Sequence, residues 1–209
     1  MAAFIWDMDG TLVNSYPAIV PAVQESCAEF GLEFSYDQIY AQIIRTSVGV
    51  FIKQVASEHE VDPVPILARF NSLNDSRIDM IQAIPHAEET LRTLSASGHS
   101  NFVFTHRGAS CRAILENTGL LPCFIEVVTA LDGFPRKPAP DGIHYLLEKY
   151  QLSSGSCFYV GDRSLDIEAA VNAGIGSILY LDPSSPGSAT GKESFIVKDL
   201  MEIADLSLG

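Results

Sequence analysis

Four short clusters of reactive side chains recur along the chain. Asp7-Met8-Asp9-Gly10-Thr11 places two carboxylates two residues apart, beside a glycine turn. Thr105-His106-Arg107-Gly108 offers a hydroxyl, an imidazole and a guanidinium ahead of a second glycine. Arg136-Lys137-Pro138 supplies cations, and Gly161-Asp162-Arg163-Ser164-Leu165-Asp166 adds two more acids four residues apart. If these meet, four crowded carboxylates cannot all stay ionised without a cation. Ligation by a few carboxylates, with water and substrate oxygens completing the shell, suits Mg²⁺. A metal alone would leave Thr105, Lys137 and the glycine turns without a task. A phosphoryl group gives them one: the lysine neutralises its oxygens, while a hydroxyl and backbone N–H groups donate to them. A carboxylate can then attack phosphorus in line and form an acyl-phosphate. A second carboxylate two residues away can protonate the leaving oxygen and later deprotonate a water.

The surrounding elements decide whether these clusters converge. Short apolar runs at Ala3–Trp6, Asn101–Thr105, Phe124–Val128, Ser156–Val160 and Ser177–Leu181 read as buried parallel strands. Helical spacings lie between most of them: Ala87, Leu91, Leu94; Ile143, Leu146, Leu147, Tyr150; Ile167, Ala170, Val171. Gly98, Gly119 and Gly174 fall where those helices should stop. The alternation predicts an α/β fold, a doubly wound, mostly parallel sheet with helices on both faces. In such sheets ligands bind at the carboxyl ends of the strands, where the four clusters lie. From Ser15 to about Ala83 the rhythm breaks into helical spacings only: Ile19, Val23, Cys27, Phe30; Ile39 to Ile44; Val50 to Val55; Ile66, Phe70, Leu73. The expected organisation is a core domain of residues 1–14 and 84–209 with a small helical domain, 15–83, inserted. A surface loop is expected over Asp182–Ser188.

Composition narrows the class. The chain has 209 residues, 47% hydrophobic and 19% charged, with a formal net charge of −13. That acidity argues against broad electrostatic binding to nucleic acid or anionic membrane, though a local pocket can still hold a small anion. No stretch approaches the roughly 20 apolar residues of a bilayer span, and the opening Met1–Asp7 lacks the basic start of a secretion signal. Cys27, Cys111, Cys123 and Cys157 are scattered without a CxxC pair, as buried thiols of a reducing cytoplasm would be.

In order and residue type the four clusters resemble the motifs of the haloacid dehalogenase-like superfamily, and the resemblance spans almost the whole chain, inserted cap included. It is greatest to the phosphoglycolate phosphatase-like and β-phosphoglucomutase-like branch. The resemblance implies a Rossmann-like core, an Asp7 nucleophile, Asp9 as general acid and base, and phosphate contacts from Thr105 and Lys137. It also implies Mg²⁺ held by Asp7, the Asp9 backbone carbonyl and Asp162, with Asp166 supporting the metal. The second acid, Asp9, separates the chain from dehalogenases proper. Family members commonly carry Asp at the position of Asn14, and Asn-Lys or similar where His106-Arg107 follows Thr105.

Three further residues are candidates for substrate contact, each with a plainer alternative. Arg107 either meets a second anionic group or is a surface charge. His106 either faces substrate or orients its loop. Arg45, opening Arg45-Thr46-Ser47-Val48-Gly49, either belongs to a specificity loop or to a simple interhelix turn. His59, His86, His99 and His144 lack metal-ligand spacing and read as structural or surface residues. The leading function is a Mg²⁺-dependent phosphatase acting on a small phosphorylated metabolite, with a cap that closes over the site. A phosphomutase of the β-phosphoglucomutase type shares every core residue. A phospho-aspartate switch would place its reactive Asp after the third strand and carry no cap, and a silent binding protein would lack part of the reactive set.

Overall fold

The computed structural model describes residues 1–183, 185 and 187–207, so Ser184 and Pro186 of the expected loop lie outside the described residues. It divides into two compact units, one of Met1–Asn14 with the chain from Gln82 onward, the other Ser15–Ile81. In chain order the strands are β1 (Ala3–Trp6), β2 (Val13–Asn14), β3 (Gln82–Ala83), β4 (Ser100–Phe104), β5 (Glu126–Val128), β6 (Cys157–Gly161), β7 (Gly176–Tyr180) and β8 (Phe195–Val197). The helices are α1 (Tyr16–Ala28), α2 (Tyr36–Arg45), α3 (Val48–Glu58), α4 (Pro63–Asp75), α5 (Ala87–Ala96), α6 (Ser110–Asn117), α7 (Asp141–Tyr150) and α8 (Ser164–Ala173).

The first unit carries a six-stranded sheet in the order β5-β4-β1-β6-β7-β8, every neighbouring pair parallel. β1 is central: Ala3 lies opposite both Ser100 and Cys157, and Trp6 opposite both Val103 and Val160. Alternation along these buried strands splits their side chains between two apolar layers. Ile5, Phe102, Phe104 and Tyr159 pack with Ile143 and Leu146 of α7 and Ala169, Ala170 and Ala173 of α8. In the other layer Phe4 stacks on Phe158, and the Trp6 indole donates to Asn101 Oδ1 at 3.0 Å. Asn101 Nδ2 in turn donates to the Leu91 carbonyl of α5 at 3.2 Å, so this buried polar side chain of β4 is satisfied. The fold is α/β and doubly wound, and the chain leaves β1 for strands on either side of it, the arrangement that opens a crevice at the carboxyl end.

The chain crosses back to this unit at Ile81–Gln82 rather than after Ala83, because Gln82 and Ala83 pair antiparallel with Asn14 and Val13. A two-residue ribbon is too short to leave a periodicity. The edge strand β8, three residues long, is also too short to leave a periodicity. Gly98, Gly119 and Gly174 all take positive φ, 84°, 73° and 70°. Val171 is 48% exposed, although its spacing placed it on the buried face of α8.

The second unit packs its four helices around Ile19, Val23, Cys27, Ile39, Ile43, Ile52, Val55 and Ile66. The Ser35 side chain accepts from Gln38 N while Gln38 reaches back to Ser35 N, a capping box that starts α2. Phe30, expected on the buried face of α1, is exposed: α1 ends at Ala28, and the turn through Gly31 carries Phe30 outward. No helix among the described residues is long and apolar enough to cross a membrane.

Candidate active site

The ladder of β1 runs one residue past the strand, with Asp7 N donating to Val160 O at 2.8 Å. The chain then folds back on itself. Leu12 N and Val13 N both donate to Met8 O, at 2.9 and 3.0 Å, and Gly10 N donates to Val13 O at 2.9 Å. Gly10 sits at φ 85°, a conformation that a side chain would penalise. This turn buries Asp7 at 1% exposure and aims Thr11 Oγ1 at Asp162 Oδ1, 3.4 Å away.

Lys137 enters from the long connection between β5 and α7. Its Nζ donates to Asp7 Oδ1 at 2.8 Å, Asp166 Oδ1 at 2.6 Å and the Tyr159 hydroxyl at 2.8 Å, which engages all three protons of the ammonium. Tyr159 donates onward to the Phe104 carbonyl at 2.6 Å, and its ring lies 5.1 Å from Nζ. Asp166, in the first turn of α8, accepts from Arg163 N at 3.1 Å. Gly161 is required beneath it, since an added Cβ would overlap the Asp166 side chain. Burial works to raise the pKa of Asp7, yet Lys137, then Arg163, outweigh it and hold the carboxyl below its usual range. For Asp166 burial prevails over Lys137, with Asp7 adding repulsion, and its pKa is raised. Burial, then the nearby carboxylates, drive Tyr159 well above 10.0, so the phenol keeps its proton.

Asp7, Asp162 and Asp166 are all buried and each offers one oxygen, these oxygens lying within 4.8 Å of one another. Such an all-oxygen trio fits a hard divalent cation. The Asp9 side chain lies outside the trio. Its carboxylate accepts from Arg107 Nε at 3.0 Å to each oxygen and from Nη2 at 2.6 Å. Arg107, expected either at substrate or at the surface, is therefore buried against Asp9. Thr105, also buried, accepts from Arg107 N on Oγ1 at 3.2 Å. His106 Nε2 accepts from the backbone N–H of Lys137 at 2.7 Å. Burial first, then the charges of Lys137, Arg136 and Arg163, push this imidazole down to about 2, so it is neutral and has a lone pair for that bond. Arg45 belongs to the other unit, exposed in the last turn of α2.

Two residues of the site escaped the sequence reading. Arg163 Nη2 lies 3.4 Å from Asp7 Oδ2, and its Nε is 3.8 Å from Asp162. Its place between two motif acids was an available signal. Tyr159 offered only a hydroxyl on an otherwise apolar strand.

The profile of the haloacid dehalogenase-like hydrolases matches residues 4–180. The phosphoglycolate phosphatase of Cereibacter sphaeroides is 32% identical over 191 residues, covering 87% of this chain and 86% of its own. A hydrolase from Streptococcus pneumoniae TIGR4 superposes with a TM-score of 0.62 at 32% identity, over 88% of this chain and 94% of that one. CbbY from Rhodobacter sphaeroides, solved in complex with phosphate, shares the fold at a TM-score of 0.80 and 16% identity, over 99% and 100%. The family match takes in β1 to β7 of the elements above and the segments that carry the four acids. The chain belongs to the haloacid dehalogenase-like hydrolases, on their phosphoglycolate phosphatase-like branch.

Proposed function

We propose that the chain is a Mg²⁺-dependent phosphatase that hydrolyses a small phosphate monoester through an aspartyl-phosphate on Asp7. The observation that carries this reading is the buried lysine bonded to Asp7 and Asp166, two of three carboxylates whose oxygens converge within 4.8 Å. Asp7, the Asp9 carbonyl and Asp162 would hold Mg²⁺, with Asp166 in support; the ion would offset negative charge on the phosphoryl oxygens. The lowered pKa of Asp7 keeps it an anion and so a nucleophile.

An Asp7 oxygen attacks phosphorus as the ester P–O bond breaks, and the Asp9 carboxyl gives its proton to the leaving alkoxide. Asp9 then takes a proton from a water that attacks the same phosphorus. The bond to Asp7 breaks, inorganic phosphate leaves, and both acids return to their starting state. Lys137 and Arg163 lie against Asp7 throughout and oppose the charge gathered there. The Thr105 hydroxyl, whose oxygen already accepts from Arg107 N, has its own proton to donate to a phosphoryl oxygen. Phosphoglycolate, the substrate named for the C. sphaeroides relative, is the first ester to try. Four free thiols, three of them buried, support a cytoplasmic setting.

The test is release of inorganic phosphate from a panel of small phosphate esters, with Mg²⁺ and with EDTA, beside the Asp7→Asn variant. The reading requires Mg²⁺-dependent release that Asp7→Asn loses by on the order of 10³-fold or more. Near-parental turnover by a folded Asp7→Asn protein overturns the nucleophile. Isomerised hexose phosphate in place of free phosphate makes the chain a mutase.

A further inference from the structure

The loop after β4 places an arginine where it touches the first motif rather than solvent. The Arg107 side chain is 4% exposed while that of its partner, Asp9, is 20% exposed. The guanidinium grips the carboxylate side-on: Oδ1 takes bonds from Nε and Nη2, Oδ2 the single bond from Nε. Its far edge is fixed as well, Nη1 donating to Ser110 Oγ at 3.3 Å, the first residue of α6. The backbone is held on both sides. Arg107 N donates to Thr105 Oγ1 at 3.2 Å, and Arg107 O accepts from Ala130 N at 3.1 Å. A planar fork held at this many points fixes both the position and the plane of the carboxylate it binds, which a lysine does not do.

We propose that Arg107 is a positioning residue for proton transfer: it orients the Asp9 carboxylate so that Oδ2 carries the proton exchanged with the leaving oxygen and the incoming water. The inference rests on the proposed reading of Asp9 as the general acid and base. Oδ1, with two donors on it, is the oxygen that Arg107 holds, and Oδ2, with one, keeps a lone-pair direction for the transferred proton. Asp9 follows Met8 in a tight turn, so its backbone is already set, and Arg107 removes the side-chain freedom that remains. The assignment also explains why an arginine is sequestered inside an acidic protein instead of facing an anionic substrate.

The experiment follows from what a general acid contributes. An alkyl phosphate expels a basic alkoxide and needs its proton, whereas p-nitrophenyl phosphate expels a stable phenolate and needs it far less. Arg107→Lys and Arg107→Gln, with folding checked by circular dichroism and thermal melts, are assayed on p-nitrophenyl phosphate and on glycerol 1-phosphate. The expected result is a fall in kcat for the alkyl ester at least tenfold greater than the fall for the aryl ester, general acids being worth on the order of 10²–10⁴-fold. In an Asp9→Asn background, Arg107→Lys should add little further loss on glycerol 1-phosphate, since both changes act on one proton. Equal losses on the two esters mean a structural role and overturn the proposal. A rise in KM for both esters at constant kcat assigns Arg107 to substrate binding and also overturns it. Faster alkyl-ester turnover would make the pair a restraint on Asp9, again against the proposal. Should no ester release phosphate with the parent protein, the proposed function itself fails, an outcome distinct from all of these.

Discussion

The backbone N–H of Lys137 donates to Nε2 of His106 at 2.7 Å, tying the loop after β4 to the loop that carries the lysine. The ring also meets Phe104 edge-on, with centroids 5.9 Å apart. His106 thus acts on Lys137 from behind. His106→Ala should lower kcat by on the order of tenfold or more, as small misplacements of a catalytic group do. Because burial and neighbouring cations take the imidazole down to about 2, it stays neutral from pH 5 to 8. The pH–rate profiles of parent and variant should therefore have the same shape and differ in height. A limb near pH 6.5 that disappears in the variant would show that His106 titrates during turnover.

Tyr159 offers a separable test of the lysine's placement. Tyr159→Phe keeps the ring but deletes the hydroxyl between Lys137 Nζ and the Phe104 carbonyl. Losing a buried acceptor and donor together should cost about 1–3 kcal/mol of stability, read by chemical denaturation. Turnover should fall more than substrate affinity does, since Lys137 loses one of its three tethers. An unchanged kcat would mean that the two carboxylates alone hold the ammonium.

The proposed binding of Mg²⁺ to the acidic trio has a readout apart from turnover. A ligand at 100-fold its dissociation constant adds about 2.7 kcal/mol to unfolding. Millimolar Mg²⁺ should therefore raise the melting temperature of the parent, and EDTA should reverse the rise. Asp162→Asn should abolish most of this response, because Asp162 is one of the three converging carboxylates. A full Mg²⁺ response in that variant would place the ion elsewhere.

His86 and Asp199 form an exposed pair at 2.8 Å, joining the residue before α5 to the segment after β8. The hydrogen bond and charge of Asp199 raise the His86 pKa above 6.5, so its contribution is complete below 6.5 and fades as pH climbs through the raised value. Asp199, held down first by the Met201 N–H and then by His86, contributes above 3.8 and loses that contribution as pH falls through its lowered value. The pair should therefore stabilise most between pH 3.8 and 6.5. His86→Asn tolerates the φ of 64° at this position. Its melting temperature should lag the parent's in that window and converge with it once pH has risen through the raised His86 value. A constant gap across the range would refute the charge-based account.

Much of the architecture was legible because buried parallel strands and amphipathic helices leave strong periodicities. The run around Ile5 became a strand with the expected bounds, and those around Phe102, Val160 and Ile178 became strands shifted by one residue. What escaped was short or decided by tertiary contact. Gln82–Ala83 is a strand only because Val13–Asn14 lies beside it, and Phe195–Val197 forms only an edge. Around the acids, motif spacing pointed to side chains that the fold brings together but not to who holds whom. For Arg107 the sequence left open substrate contact or a surface charge, and for His106 substrate contact or a loop-orienting ring. Local sequence does not reveal that Asp9, 98 residues away, and Lys137, 31 away, meet them. Tyr159 was hidden by the apolar strand around it.

β1 is clamped between two ladders at once, with β4 on one side and β6 on the other over the same four residues. Peeling it away would sever both, so no partial opening can release it while the sheet survives. The amide protons of Ile5 and Trp6 should then exchange with deuterium as slowly as any in the protein. The carboxylate of Asp7, immediately beyond, is anchored to the last part of the molecule to come apart.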